Sequence, residues 1–244
     1  MILERGCETL AGLTGLRVRQ VATGSDVEVV PPSEAGLSRV AFSPDGNYVY
    51  YLARRPEDRR YQALFVVPSL GGPPRERLFD VDSKVTFSPD GKRLACWRGV
   101  PQKQENVLLS FDLESSRETV LATLGADEPM VTAPAWSPDG LTIALVVPAP
   151  PPSFGSRLLA FDAATGARRP ALELPDTFLS SVAWLADGSG LVGTGISLKG
   201  IFQGQVFLIG YPSGRLQRVT NDFHDYGSVS VSATDEAIAA VRTS

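Results

Sequence analysis

The chain has 244 residues, a formal net charge of −4, 43% hydrophobic residues and 20% charged residues. That balance excludes a disordered chain and argues against a general nucleic-acid binder, which carries a basic stripe. No run of about 18 apolar residues is present, so no membrane-spanning helix is predicted. Glu4 and Arg5 stand where a signal peptide needs an apolar run, and no hydrophobic segment precedes Cys7. No export signal is therefore predicted in this chain. Cys96 lies in the apolar stretch LACW and reads as a small buried hydrophobe. With Cys7 as its only companion it makes no disulfide framework. The 23 glycines and 19 prolines are spread along the chain, the punctuation of many short strands.

In chain order, the first predicted strands are LRVRQ at 16–20 and VEVV at 27–30, joined by the turn VATGS. Then a motif begins to recur. FSPDG starts at Phe42 and again at Phe87, WSPDG at Trp136, WLADG at Trp184, and a worn SATDE at Ser232. A short alternating strand precedes each turn: RVAF, KVTF, APAW, SVAW and SVSV. A second follows it: YVYYL, LACW, TIALVV, GLVGT and AIAAV. After a variable loop come third strands, ALFVV, VLLSF, RLLAF and VFLI. A further turn leads to more polar fourth strands, ERLFD, ETVLA, PALEL and RLQRVT. A repeat of 40-odd residues built from turn-flanked apolar runs predicts four-stranded antiparallel propeller blades.

The turn chemistry accounts for the repetition. In Ser43-Pro44-Asp45-Gly46, proline presets φ at the first corner, aspartate bonds nearby backbone, and glycine accepts positive φ. The aspartates Asp45, Asp90, Asp139 and Asp187 are thus expected to be structural.

The expected fold class is all-β, a single propeller domain over residues 1–244 with five repeats. Blades are placed at about 38–81, 83–124, 131–174 and 180–220. The C-terminus supplies only first and second strands, and the N-terminus only third and fourth ones. These halves are complementary, which predicts a shared fifth blade from 228–244 plus 14–32. The rival reading is a slice of a longer propeller that ends mid-blade.

The pattern in VTFSPDGKRLAC and APAWSPDGLTIAL resembles the WD-repeat-like blades of the TolB family of propellers, from Leu16 to Val241. The segment RVTNDFHDYGSVSVSATDEAIAAV looks like propellers attached to bacterial serine/threonine kinases and regulators. TolB-like propellers usually have six blades, one more than is counted here. The resemblance implies a module of a bacterial signalling or envelope protein. It would be periplasmic or extracytoplasmic if part of a longer kinase-linked or Tol-type protein. Gating domains of prolyl-oligopeptidase-like peptidases are similar too.

Catalytic constellations are missing from the sequence. There is no G-x-S-x-G elbow, no G-x-G-x-x-G, no lysine-bearing phosphate loop and no H-R-D loop. His224 is the only histidine, in the loop NDFHDY, and with two distant cysteines it builds no usual zinc site. No catalytic residue, no cofactor and no metal is expected.

Binding surfaces are the remaining candidates. The fourth-to-first-strand connections share a face with the second-to-third-strand loops. That face should carry Glu34, Asp80, Asp82, Asp127, Glu128, Asp176, Asp222 and Asp225. Such carboxylates would attract a cation or a basic peptide, or would be solvated loop charges. The run ARRPEDRR offers Arg54, Arg55, Arg59 and Arg60 to an acidic partner, with Glu57 and Asp58 placed to neutralise them. VPAPPPSFGS at 147–156 is a stiff proline-rich loop on the same face. These features predict a non-catalytic interaction module that binds a protein or peptide, or senses a ligand for an attached signalling domain, with no nucleic-acid partner and no membrane insertion. The alternatives are a peptidase gate or a carbohydrate-active propeller, the latter needing paired carboxylates across one channel.

Overall fold

A computed structural model describes residues 2–4, 13–20, 23–55, 57–130, 132–200, 202–232 and 237–243. Cys7, Pro56 of the arginine-rich run and 233–236 of the worn turn lie outside the described residues. The chain forms two compact units, Met1–Phe87 and Ser88–Ser244.

In the first unit, β1 (Ile2–Glu4), β2 (Thr14–Arg19) and β3 (Asp26–Ser33) form a three-stranded antiparallel sheet in that order. Next come β4 (Ser38–Phe42), β5 (Tyr48–Arg54), β6 (Gln62–Pro68) and β7 (Arg75–Phe79), a four-stranded meander. Alternation along β5 decides its packing. Val49, Tyr51 and Ala53 point one way and join Leu16, Val18 and Val29 of the first sheet in one core. Tyr50 points the other way and meets the edge of Phe87 at 4.9 Å.

Three further meanders follow. They are β8 (Thr86–Phe87) to β11 (Glu118–Leu124), with β9 at Arg93–Val100 and β10 at Glu105–Asp112; β12 (Ala135–Trp136) to β15 (Leu172–Pro175), with β13 at Thr142–Pro148 and β14 at Gly155–Asp162; and β16 (Thr177–Trp184) to β19 (Leu216–Arg218), with β17 at Gly190–Ser197 and β18 at Gln205–Gly210. The boundary between the two units falls in the first turn of the first of these sheets. The chain closes with a two-stranded sheet, β20 (Asp225–Val231) and β21 (Ile238–Thr243). The fold is an all-β propeller arrangement of antiparallel blades, as the repeat predicts.

The count differs from the expected five. Four sheets have four strands, and the shared fifth blade is not formed among the described residues. β20 and β21 make their own sheet. The place beside β2 that a C-terminal strand was expected to take is filled by β1, with Leu3 opposite Val18. A strand a short loop away closes that edge at little chain-entropy cost. Three residues, ILE, carry no readable period, so β1 has no legible sign in the sequence.

The second unit is held by sheets buried on both faces. In β13, Ile143, Leu145 and Val147 enter one core with Ala95, Leu108 and Leu124 of the preceding blade. Ala144 and Val146 enter another with Leu179, Trp184 and Phe207 of the following blade. Truncating one such fully buried side chain to alanine typically costs about 2–5 kcal/mol. Indole nitrogens stitch blade to blade: Trp97 Nε1 donates to the Thr132 carbonyl at 3.1 Å, and Trp184 Nε1 to that of Ala135 at 3.0 Å. The sheets approach so closely at Gly166 that a Cβ there would collide with the Leu121 carbonyl.

The repeated turn works as its chemistry predicts. The Ser43 hydroxyl donates to Asp45 Oδ1 at 2.5 Å and accepts the Tyr48 N–H at 3.0 Å, while the Asn47 N–H donates to Asp45 at 3.0 Å. Ser88 with Asp90 and Ser137 with Asp139 repeat the arrangement. Gly46, Gly91, Gly140 and Gly188 all have φ between 67° and 75°. In the fourth copy Leu185 replaces serine, yet the Leu185 and Gly188 backbone bonds persist and Asp187 still accepts the Ser189 N–H. The serine hydroxyls hold Asp45, Asp90 and Asp139 below the usual aspartate range, helped by the backbone N–H groups.

Two predictions follow from the turn. Gly91→Val forces a β-branched residue to φ 67° and is expected to lower unfolding free energy by about 1–3 kcal/mol in denaturant titration; unchanged stability would remove the turn assignment. The aspartates' depressed folded pKa gives stability that is present above about pH 4 and lost as pH falls through the folded value. Stability should therefore decline on acidification, and Asp139→Asn should flatten part of that decline.

Candidate functional site

Connections between blades and second-to-third-strand loops form one rim of each unit. In the first unit the arginine-rich run sits there and is largely neutralised by its surroundings. Arg55 makes a two-point ion pair with Glu76, and its guanidinium lies 4.0 Å from the centre of the Phe79 ring. Arg59 reaches Glu34 at 3.2 Å, and Arg60 grips Asp58 at 3.0 and 3.1 Å. Asp58 is held below its usual range by Arg60. Arg54 is exposed, and its backbone N–H donates to the Ala35 carbonyl at 2.9 Å. Asp80, at φ 59°, follows β7 directly, with Asp82 two residues on; both are half-buried.

On the second unit's rim the predicted carboxylates are placed in three separate connections, each with local partners. Glu128 accepts from Arg157 at 2.7 Å and from both nitrogens of Arg168 at 2.7 and 2.8 Å. Arg168 first, then Arg157, draws its carboxyl below the usual range against the cost of burial. Asp127, beside it, is exposed. Asp176, at φ 56°, pairs with Lys199 at 2.6 Å. Asp222 accepts the Tyr226 hydroxyl at 2.9 Å and the His224 N–H at 3.0 Å. Asp225 accepts the Gly204 N–H at 2.5 Å. Among the described residues, no three His, Cys, Asp or Glu side chains gather where they could hold a metal. His224 is exposed, with Nε2 3.3 Å from Arg242.

The rim also carries a feature that charge counting missed. Phe154, Phe178, Phe202 and Phe223 are the exposed phenylalanines among the described residues, and all four belong to this rim. Ile196, directly across from Phe178, and Leu198 are exposed beside them. Phe178 and Ile196 are cross-strand neighbours, while Phe154, Phe202 and Phe223 stand in separate loops of the same rim.

The loops bearing them are pinned. The Asp176 N–H donates to the Phe154 carbonyl at 2.9 Å, and the Leu198 N–H to the Asp176 carbonyl at 2.8 Å. Phe223, 81% exposed, is held from below by Gln205, which is 1% exposed. The Gln205 amide donates to the carbonyls of Asp222 and His224 at 3.2 and 3.1 Å and accepts the Thr220 hydroxyl at 2.9 Å. Phenylalanine is ordinarily read as core. The readable sign was its position inside polar loops such as PPPSFG and NDFHD.

Glu128→Gln removes the charge that compensates Arg157, whose side chain is 15% exposed. A loss of about 1–3 kcal/mol is expected in thermal or denaturant unfolding, and a neutral effect would show the triad to be ornamental.

No protein-family model matches the chain. Cell division cycle protein cdt2 of Schizosaccharomyces pombe is 31% identical over 108 residues, 43% of this chain; the chain spans 22% of that protein's length. Among solved structures, one assigned to TolB from Agrobacterium tumefaciens matches with a TM-score of 0.67 and 19% identity, covering 85% of this chain and 73% of that one. TolB from Acinetobacter baumannii matches at 0.63 and 17%, covering 98% and 61%. Hydrazine synthase from Kuenenia stuttgartiensis matches at 0.64 and 18%, covering 92% and 66%. Fold likeness therefore reaches both TolB and a chain of an enzyme. Blade architecture, repeated turn and these neighbours agree: the chain has the fold of the TolB-like β-propellers.

Proposed function

We propose that the chain is a non-catalytic interaction module, one propeller domain over residues 1–244 with blades at about 38–81, 83–124, 131–174 and 180–220. Its rim binds a protein or peptide. The observation that carries this reading is the second unit's set of exposed phenylalanines on pinned loops. Large rigid aromatic side chains lose little entropy on docking and make effective anchors. In this reading the charged residues Asp127, Glu128, Asp176, Asp222 and Asp225 serve as the polar border of that rim. In the first unit Asp80, Asp82, Arg54, Arg55, Arg59 and Arg60 form the corresponding border. Likeness to TolB supports placing the module in a bacterial envelope or signalling protein. No described helix is long and apolar enough to cross a membrane.

A photo-cross-linking residue at position 202, on the rim, and one at position 45, in a turn, test the reading in cells. A discrete protein adduct at 202 that is absent at 45 is expected. No adduct at 202, or the same adducts at both, would reject a rim-directed partner.

A further inference from the structure

A groove of about 280 Å³ opens on the second unit, lined among others by Pro175, Asp176, Lys199, Phe207, Leu216 and Arg218. Phe207 and Leu216 give it an apolar lining, Phe207 standing opposite Arg218 in the β18–β19 register. Its volume is below the roughly 300–1,000 Å³ of small-molecule sites. It fits one side chain of a docked segment better than a whole small ligand.

Its charge is uneven. Two cations, Lys199 and Arg218, face a single carboxylate, Asp176. Lys199 is 78% exposed while it touches Asp176 at 2.6 Å, so that pair is weak in water and open to exchange. Arg218 donates to the neutral Asn221 amide at 2.7 Å. A Cβ on Gly200 would lie 3.5 Å from the Arg218 guanidinium, so the Lys199–Gly200 turn and that guanidinium are neighbours. Two cations lining one groove beside apolar side chains favour an anionic group there even in a chain of net charge −4.

We propose that this groove receives an acidic segment of a protein partner. An apolar side chain of that segment enters beside Phe207 and Leu216, and a neighbouring carboxylate meets Lys199 and Arg218. The proposal rests on the interaction-module reading and names its partner's chemistry, the opposite of the basic peptide that the rim carboxylates would attract. Arg218 offers the planar fork that suits a carboxylate, at present spent on an amide.

The test uses the full chain and two labelled octapeptides, one alternating phenylalanine with glutamate and one alternating phenylalanine with lysine, read by fluorescence anisotropy. The glutamate peptide should bind more tightly. Its affinity should fall about tenfold or more in Lys199→Glu/Arg218→Glu, the loss expected for a charge-assisted contact. It should also weaken as salt rises from about 50 to about 300 mM. Lys199→Gln/Arg218→Gln, expected to give a smaller loss in the same direction, serves if the charge reversal does not fold. Equal binding of the two peptides, preference for the lysine peptide, or indifference to both variants would overturn the proposal. So would a wild-type dimer that either variant converts to monomer, which would make the occupant a second copy. Cross-linking at position 202 with failed charge selectivity would leave an interaction module with a different partner. Failure of both would remove the module reading itself.

Discussion

Two-sided burial of each blade is the constraint on which the second unit depends. Strand β13 carries apolar side chains at every position from Ile143 to Val147, so neither face of its sheet can meet water. One face needs the blade before it and the other the blade after it. Single sheets of this kind have no stable solution alone, and stability is shared between neighbours as in other repeat architectures. The close approach at Gly166 and the two indole bonds across blades show how tightly that sharing is drawn.

From this packing the division of labour follows. Core strands are fixed by their neighbours, and the Ser-Pro-Asp-Gly turn closes three of the first hairpins with the same three side-chain bonds. The opposite rim is free of such duty. Its loops differ from blade to blade in length and composition, and they carry the exposed phenylalanines and ion pairs such as Arg59–Glu34 and Lys199–Asp176. Chemistry on a propeller is grafted on these loops. The Gln205 clamp beneath Phe223 shows the scaffold reaching up to stiffen one of them.

Charge on the rim is spent mostly at home. Glu128 is committed to two arginines and Arg55 to Glu76, whereas Asp176 meets Lys199 in an exposed, exchangeable pair. An acidic count taken along the chain therefore overstates the field that a visiting ligand would meet. Apolar anchors set in a border of paired charges suit a binding surface that tells partners apart through local pairing more than through long-range attraction.

Repeat period, turn chemistry and strand alternation are local properties, and residues near in sequence settle them. The sequence therefore determined the all-β class, the four-stranded meanders and the positive φ at Gly46, Gly91, Gly140 and Gly188. Tertiary structure alone decided which charges neutralise which, because Glu128 meets partners 29 and 40 residues away. It decided that Phe154, Phe178, Phe202 and Phe223 stay in water, since exposure is set by what packs above a side chain. It decided the fate of the end strands as well: Ile2–Glu4 closes the edge that a matching C-terminal half was expected to close. Complementary pattern permits such a pairing, and competition between strands for one set of backbone hydrogen bonds settles it.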